Sequence, residues 1–184
     1  MKKSDIKRML VEVEEKRLVT TVYFTYNGWY SNLLPLKFSE KLFLSRKDEA
    51  FHLNGYVILP LRDIKKVHIK EDKYNEILQL EHVLDSVAIP EIDLTDWQTV
   101  FLSLKAQGHC VIVENERAGP EETEFIIGNI HKAGKRSVSF LHFDADGVWQ
   151  EDLFEFSHPL ITTVRFGERY TDIFIKHLEA PPVF

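Results

Sequence analysis

An internal repeat constrains this chain more than any other feature. Placing the segment from Ser4 beside the segment from Thr95, a shift of 91 positions, brings Ile6, Met9, Leu10 and Val13 onto Trp97, Val100, Phe101 and Leu104. Spacings of three, four and seven residues put all four on one helical face. Ser4 and Thr95 precede these runs as expected N-caps, and Thr95 with Gln98 fits a capping box. The same shift lays residues 18–22 on 109–113, two β-branched, strand-like runs. Further along the register reads as 97, which places an insertion in the polar stretch 114–122. At that register Tyr30, Asn32 and Leu33 meet Ile127, Asn129 and Ile130, Phe43 and Leu44 meet Phe140 and Leu141, and Ile64 and Val67 meet Ile161 and Val164. One deletion later, Tyr74 and Ile77 fall on Tyr170 and Ile173. An apolar phase kept through a helix and several strands is the mark of a duplication.

The expected division is a first copy over 1–86, a linker over 87–94 and a second copy over 95–184. The joining region carries Val87, Ile89, Ile92 and Leu94, too apolar for a free tether, so the two copies are expected to dock. Each copy reads as a helix and then five strand-like runs, in the first copy near 18–26, 29–38, 41–46, 55–59 and 65–70. Turns this short leave no room for helical crossovers, so the pairing is expected to be antiparallel, and five short strands remove their edges by closing on themselves.

The order helix then five strands, with the run Leu59-Pro60-Leu61-Arg62-Asp63-Ile64-Lys65-Lys66-Val67, resembles the Sm-like small barrels, in which a brief turn joins the last two strands. Phe156-Ser157-His158-Pro159-Leu160-Ile161-Thr162-Thr163-Val164 is the second copy's weaker version. The resemblance implies a mainly β protein with short helices (α+β): two tandem Sm-like, or SH3-like, five-stranded antiparallel barrels, each preceded by a helix. It also implies RNA binding and ring assembly. RNA-binding members of that family carry an Asp and an Asn between strands two and three and an Arg-Gly pair before the last strand. Here the corresponding stretches are Lys37-Phe38-Ser39-Glu40-Lys41 and Ala133-Gly134-Lys135-Arg136, then Leu61-Arg62-Asp63 and His158-Pro159-Leu160. The family's nucleotide pocket is not carried over.

Charge separates the halves. Residues 1–90 hold 15 Lys and Arg against 13 Asp and Glu, whereas residues 91–184 hold 8 against 16, so only the first half attracts polyanions. Candidate nucleic-acid contacts are Lys65, Lys66 and Lys70 around the last strand of the first copy, and Lys132, Lys135 and Arg136 at a hairpin of the second. Lysines on edges and turns also keep β proteins soluble, and that reading competes with the first.

No catalytic, cofactor or metal residues stand out. Residues 128–136 mimic a phosphate loop, but five residues separate the glycines, Arg136 replaces the metal-binding hydroxyl and no helix follows. Asp144-Ala145-Asp146-Gly147 reads as a hairpin turn rather than a calcium loop. The eight histidines lack ligand spacing, and Cys110 sits in an apolar strand run. Tyr74 and Tyr170 recur with Ile77 and Ile173, an arrangement read as packing, and Glu76 and Asp172 recur as solvated acids. The expectation is therefore a non-catalytic binding or scaffold protein without cofactor. It engages an unknown protein partner or itself through barrel edges, or through its C-terminal 179–184 arm. The alternative is a nucleic-acid binder, disfavoured by the acidic charge. With no apolar run long enough to span a bilayer and no signal-like core, a cytoplasmic protein with no membrane association is expected.

Overall fold

The computed structural model describes residues 1–26, 28–70, 73–117 and 124–182. The first half runs α1 (Lys3–Glu15), β1 (Thr20–Phe24), β2 (Tyr30–Phe38), β3 (Leu42–Glu49), β4 (His52–Pro60), a 3-10 turn (Leu61–Asp63), β5 (Ile64–Ile69) and α2 (Tyr74–Leu80). The second runs α3 (Trp97–Ala106), β6 (Cys110–Asn115), β7 (Glu124–Ala133), β8 (Ser137–His142), β9 (Phe154–Ser157), a 3-10 turn (His158–Leu160), β10 (Thr163–Phe166) and α4 (Arg169–Ile175).

All ten strands form one antiparallel sheet in the order β5-β1-β2-β3-β4-β10-β6-β7-β8-β9. This corrects the expectation of two closed barrels. The sheet stays open, because the last strand of each half pairs with that half's first strand while β4 pairs with β10 across the middle. Val164 lies opposite Ile58, Arg165 opposite Val57 and Phe166 opposite Tyr56. Each half thus satisfies one of its strand edges on the other half instead of on itself.

The near-continuous apolar runs now have a cause. Alternate residues of β4 face two different cores: Ile58 enters a large cluster with Val111, Val113, Phe140 and Val164 of the second half, while Val57 and Leu59 join Ile6, Leu10 and Phe43 in a cluster drawn from the first half. Strands buried on both faces lose the polar alternation of a half-exposed sheet. The joining segment belongs to the shared core, since Leu84, Ile92 and Leu94 are all buried there. Cys110 lies with Ile112, Ile127 and Phe143 in a third, smaller cluster, and burial pushes its thiol up to about 12.

Helix boundaries differ from the expectation in one respect. Ser4 lies inside α1, whose N-cap is Lys2 with no side-chain bond. At α3 the capping box is Asp96 with Thr99, not Thr95 with Gln98. An Asp oxygen accepts the Thr99 N–H at 3.0 Å, while the Thr95 hydroxyl is spent on Asp93. The helix stops are alike in both halves. Arg17 (φ 52°) ends α1 and Gly108 (φ 70°) ends α3 in the left-handed region, each followed by a residue whose N–H reaches back five positions, Leu18 to Val13 and His109 to Leu104.

The ladders also correct the alignment of the halves. β2 bulges between Pro35 and Lys37, and β7 bulges between Ile130 and Lys132, 95 positions further on rather than 97. By ladder position Tyr30 corresponds to Phe125 and Phe43 to Val138. A slip of two residues preserves which face every strand side chain occupies, so apolar phase alone could not reveal it. The extra length therefore divides between the β6–β7 connection and the β8–β9 connection.

A candidate ligand groove at the seam

Where β4 meets β10, loops from both halves surround a groove of about 500 Å³. From the first half come Lys3, Ile6 and Lys7 of α1, Glu40, Lys41 and Leu42 at the β2–β3 turn, and Pro60, Leu61 and Arg62 at the 3-10 turn. The second half adds Asp96 and Trp97 at the start of α3, Lys135 before β8, and His158 and Pro159 after β9. Local chemistry sets the positions of Lys41 and Arg62. The Ser39 hydroxyl accepts from Lys41 N and Leu42 N at 3.1 Å, folding the turn that presents Lys41. Pro60 cannot donate a ladder hydrogen bond, so β4 ends there and Arg62 is carried to the rim.

Polar bonds fix the floor across the seam. The Pro159 carbonyl accepts from Arg62 and Arg117, both at 2.7 Å. Arg117 also pairs with the buried Asp63 carboxylate at 2.5 Å. Lys7 pairs with Glu40, and the Asp96 carboxylate is occupied in capping α3. Three side chains on the rim, those of Lys3, Lys41 and Lys135, make no hydrogen bond or ion pair among the described residues. The Nε2 of His158 is buried without a partner, and burial pulls the imidazole below its usual range against the opposing pull of Asp96. The walls are apolar, with most of Trp97 covered against Phe101. The groove thus combines unneutralised positive charge with an apolar lining, a composition suited to an anion with an apolar body.

The structure separates the six sequence-derived contacts. Only Lys135 lines the groove; Lys132 and Arg136 are exposed beside it on the hairpin. Lys65, Lys66 and Lys70 lie at β5, the far end of the sheet, with Lys66 over the Tyr23 ring at 5.6 Å and Lys70 over the Tyr74 ring at 3.5 Å. Sequence reasoning missed Lys3, Lys7, Lys41, Arg62 and His158. Lys41, Arg62 and His158 lie in the turns that were compared with the family's nucleotide motif, whereas Lys3 and Lys7 lie on α1, where no local pattern marked them. Those turns failed that motif, and nothing in one half shows that it faces the other half's loops.

Apart from the groove, Arg165 of β10 binds Glu114 at 3.1 Å and Glu168 at 3.2 Å, and Glu116 accepts from the hydroxyls of Thr163 and Tyr26. Burial raises the Glu114 carboxyl, opposed chiefly by Arg165. These groups answer one another, which reads as a seam clamp. Of the recurring tyrosines, Tyr74 is fixed, donating to Asp48 at 2.7 Å and accepting from Phe51 N at 2.7 Å. Tyr170, in contrast, stands exposed over Phe174, so packing does not account for its recurrence. Asp144 to Gly147 form a turn, with Asp144 Oδ1 accepting from Asp146 N and Val148 N. Among the described residues no group of three or more His, Cys, Asp and Glu is placed to hold a metal ion, and no helix is long and apolar enough to cross a membrane. Residues 118–122 of the expected insertion, residue 123 after it, and Val183 and Phe184 of the C-terminal arm lie outside the described residues. Comparison with protein-family models, with curated proteins and with solved structures found no match.

Proposed function

We propose that this chain is a non-catalytic binding protein, a duplicated pair of Sm-like five-stranded units fused edge to edge, whose ligand is an anion held in the seam groove. The observation that carries the proposal is the convergence of Lys3, Lys41 and Lys135, from three elements and both halves, on one apolar-walled groove with no neutralising partner among the described residues. Three unpaired cations repel one another across a rim, and an anion relieves that repulsion. The common strand order, the matching bulges and the matching helix stops support duplication. The groove's polar groups are cations, the Glu40 carboxylate paired with Lys7, the Asp96 helix cap and the His158 imidazole, without a nucleophile beside a base, which supports binding over catalysis.

Single-stranded RNA is the first probe, because the lysines sit along a groove rather than at a point. Fluorescence anisotropy of labelled RNA and DNA pools is measured at about 50 and 200 mM salt. Three phosphate contacts to a single strand give an expected slope of log K on log salt of about −2. Lys3→Glu/Lys41→Glu/Lys135→Glu is expected to lose at least about tenfold in affinity, with Lys132→Glu as the neighbouring control. Inorganic phosphate and a nucleoside monophosphate are run as competitors to identify a smaller anion. No binding of any probe at low salt, or equal affinity of the triple variant and the control, overturns the proposal.

A further inference from the structure

On one face of the sheet, Val57, Arg165 and Ile112 stand side by side across β4, β10 and β6, since directly paired residues share a face. Val57 packs under α1 in the cluster with Ile6 and Leu10. Ile112 belongs to the cluster against which Phe174 of α4 packs. Arg165 lies between these two covered patches, at a cavity of about 240 Å³ whose described lining comes from strands and turns and includes no helical residue. The cavity and the seam groove share no lining residue.

The clamp at this cavity holds its partners without balancing their charge. The carboxylates of Glu114 and Glu168 both pair with the one Arg165 guanidinium. The three side chains retain only 18%, 5% and 20% exposure, so water screens the surplus negative charge poorly. Lys47 also lines the cavity, but its ammonium pairs with Glu49 at 2.8 Å. Burial holds the Glu114 carboxyl above its usual range in spite of Arg165, as an under-compensated charge requires.

Aromatic surface surrounds this charge. Trp29 lines the cavity with more than half of its surface exposed. Phe125, directly opposite Glu114 and therefore on the same face, is exposed to a similar extent. Aromatic faces attract cations, and Trp does so most strongly. An anion entering here meets Glu114 and finds Arg165 already engaged, whereas a cation gains both the carboxylate and the ring. The volume lies below the ~300–1,000 Å³ typical of sites for drug-sized ligands, so the occupant is small.

We propose that this cavity binds a small organic cation, an ammonium or guanidinium group on a short aliphatic stem, with the charged group at Glu114 and the stem against Trp29. It is a second site, of opposite charge preference to the groove and independent of it.

Isothermal titration calorimetry of the full chain tests this with n-pentylammonium and agmatine, against 1-pentanol and pentanoate as neutral and anionic counterparts. At least one cation is expected to bind with a dissociation constant of about 1 mM or tighter, and about tenfold or more tighter than either counterpart. Glu114→Gln is expected to lose about tenfold in affinity and Trp29→Ala about threefold. Tyr170→Ala, which removes an exposed ring on α4, is expected to bind as wild type. Circular dichroism checks that each variant folds. No binding of either cation, equal affinity for pentylammonium and pentanol, or wild-type affinity in Glu114→Gln or Trp29→Ala each overturn the proposal. A capped lysine amide that binds tighter than both cations would assign the cavity to a side chain of a partner protein and overturn the small-ligand reading. The groove lysines are untouched in every variant, so these outcomes leave the anion reading to its own test.

Discussion

Substituting Gly55 by alanine tests the seam most directly. Gly55 lies in β4 with φ 48°, and a Cβ there overlaps Cγ of Glu168 and comes within 3.1 Å of both the Glu168 Cα and the Phe166 carbonyl oxygen. Two costs combine. A non-glycine residue in the left-handed region costs about 1 kcal/mol, and forcing atoms into a packed contact costs about 1–3 kcal/mol. The Glu168 side chain has little freedom to yield, being 4% exposed and tied to Arg165. The sum is about 3 kcal/mol, or a fall in melting temperature of roughly 6–12 °C for a chain of this size. Gly108→Ala is the control, since Gly108 has φ 70° and open space around it, so it registers the backbone cost alone. Urea unfolding followed by fluorescence of the three tryptophans yields both values. If Gly55→Ala costs no more than Gly108→Ala within about 0.5 kcal/mol, the close approach of β4 to the segment after β10 is not what holds glycine there.

Asn75 is expected to be a second sensitive position. Its side chain accepts from Val19 N at 2.8 Å and donates to the carbonyls of Val19 and Lys70, so Asn75→Ala strands buried backbone groups and costs about 2–4 kcal/mol in urea unfolding. A loss below about 0.5 kcal/mol would mean water replaces the amide. Cys110, with its thiol held near 12, is expected to resist a thiol reagent at pH 8 in the folded protein and to react in urea. Fast labelling of folded protein would contradict its burial. Glu114 has a folded pKa raised above 4.5, so it favours the fold below that pH and the contribution is lost as pH rises through the folded value. Glu114→Gln removes that loss, and the variant's stability relative to wild type is expected to improve between pH 4 and pH 7. A relative decline over that range would mean that the Arg165 pairing outweighs the desolvation.

The sequence disclosed the elements better than their closure. Helical spacing found α1 and α3 because their buried faces, Ile6, Leu10 and Val13 and then Trp97, Val100, Phe101 and Leu104, repeat at the helical period. Strand runs were legible from β-branched composition. The partner of β4 was not, because Tyr56, Val57 and Ile58 satisfy the same apolar pattern whether they face a strand of their own half or Val164, Arg165 and Phe166. The capping residue of α3 was misplaced by one position, since Thr95 and Asp96 are both good caps and only geometry shows which reaches Thr99. The groove was legible only as isolated lysines. Lys135 carried charge and a turn in its favour, but its companions Lys3 and Lys41 are more than ninety positions away, and no local pattern links them.

The burial of Leu84, Ile92 and Leu94 in the shared core has a consequence for the junction between β4 and β10. A short connection fixed at both ends holds the two halves at an effective concentration in the millimolar range, so their docking does not depend on how dilute the protein is. A cut between Ile89 and Pro90 would turn the same contact into a bimolecular one. Material so nicked is expected to lose cooperativity on dilution while the intact chain does not.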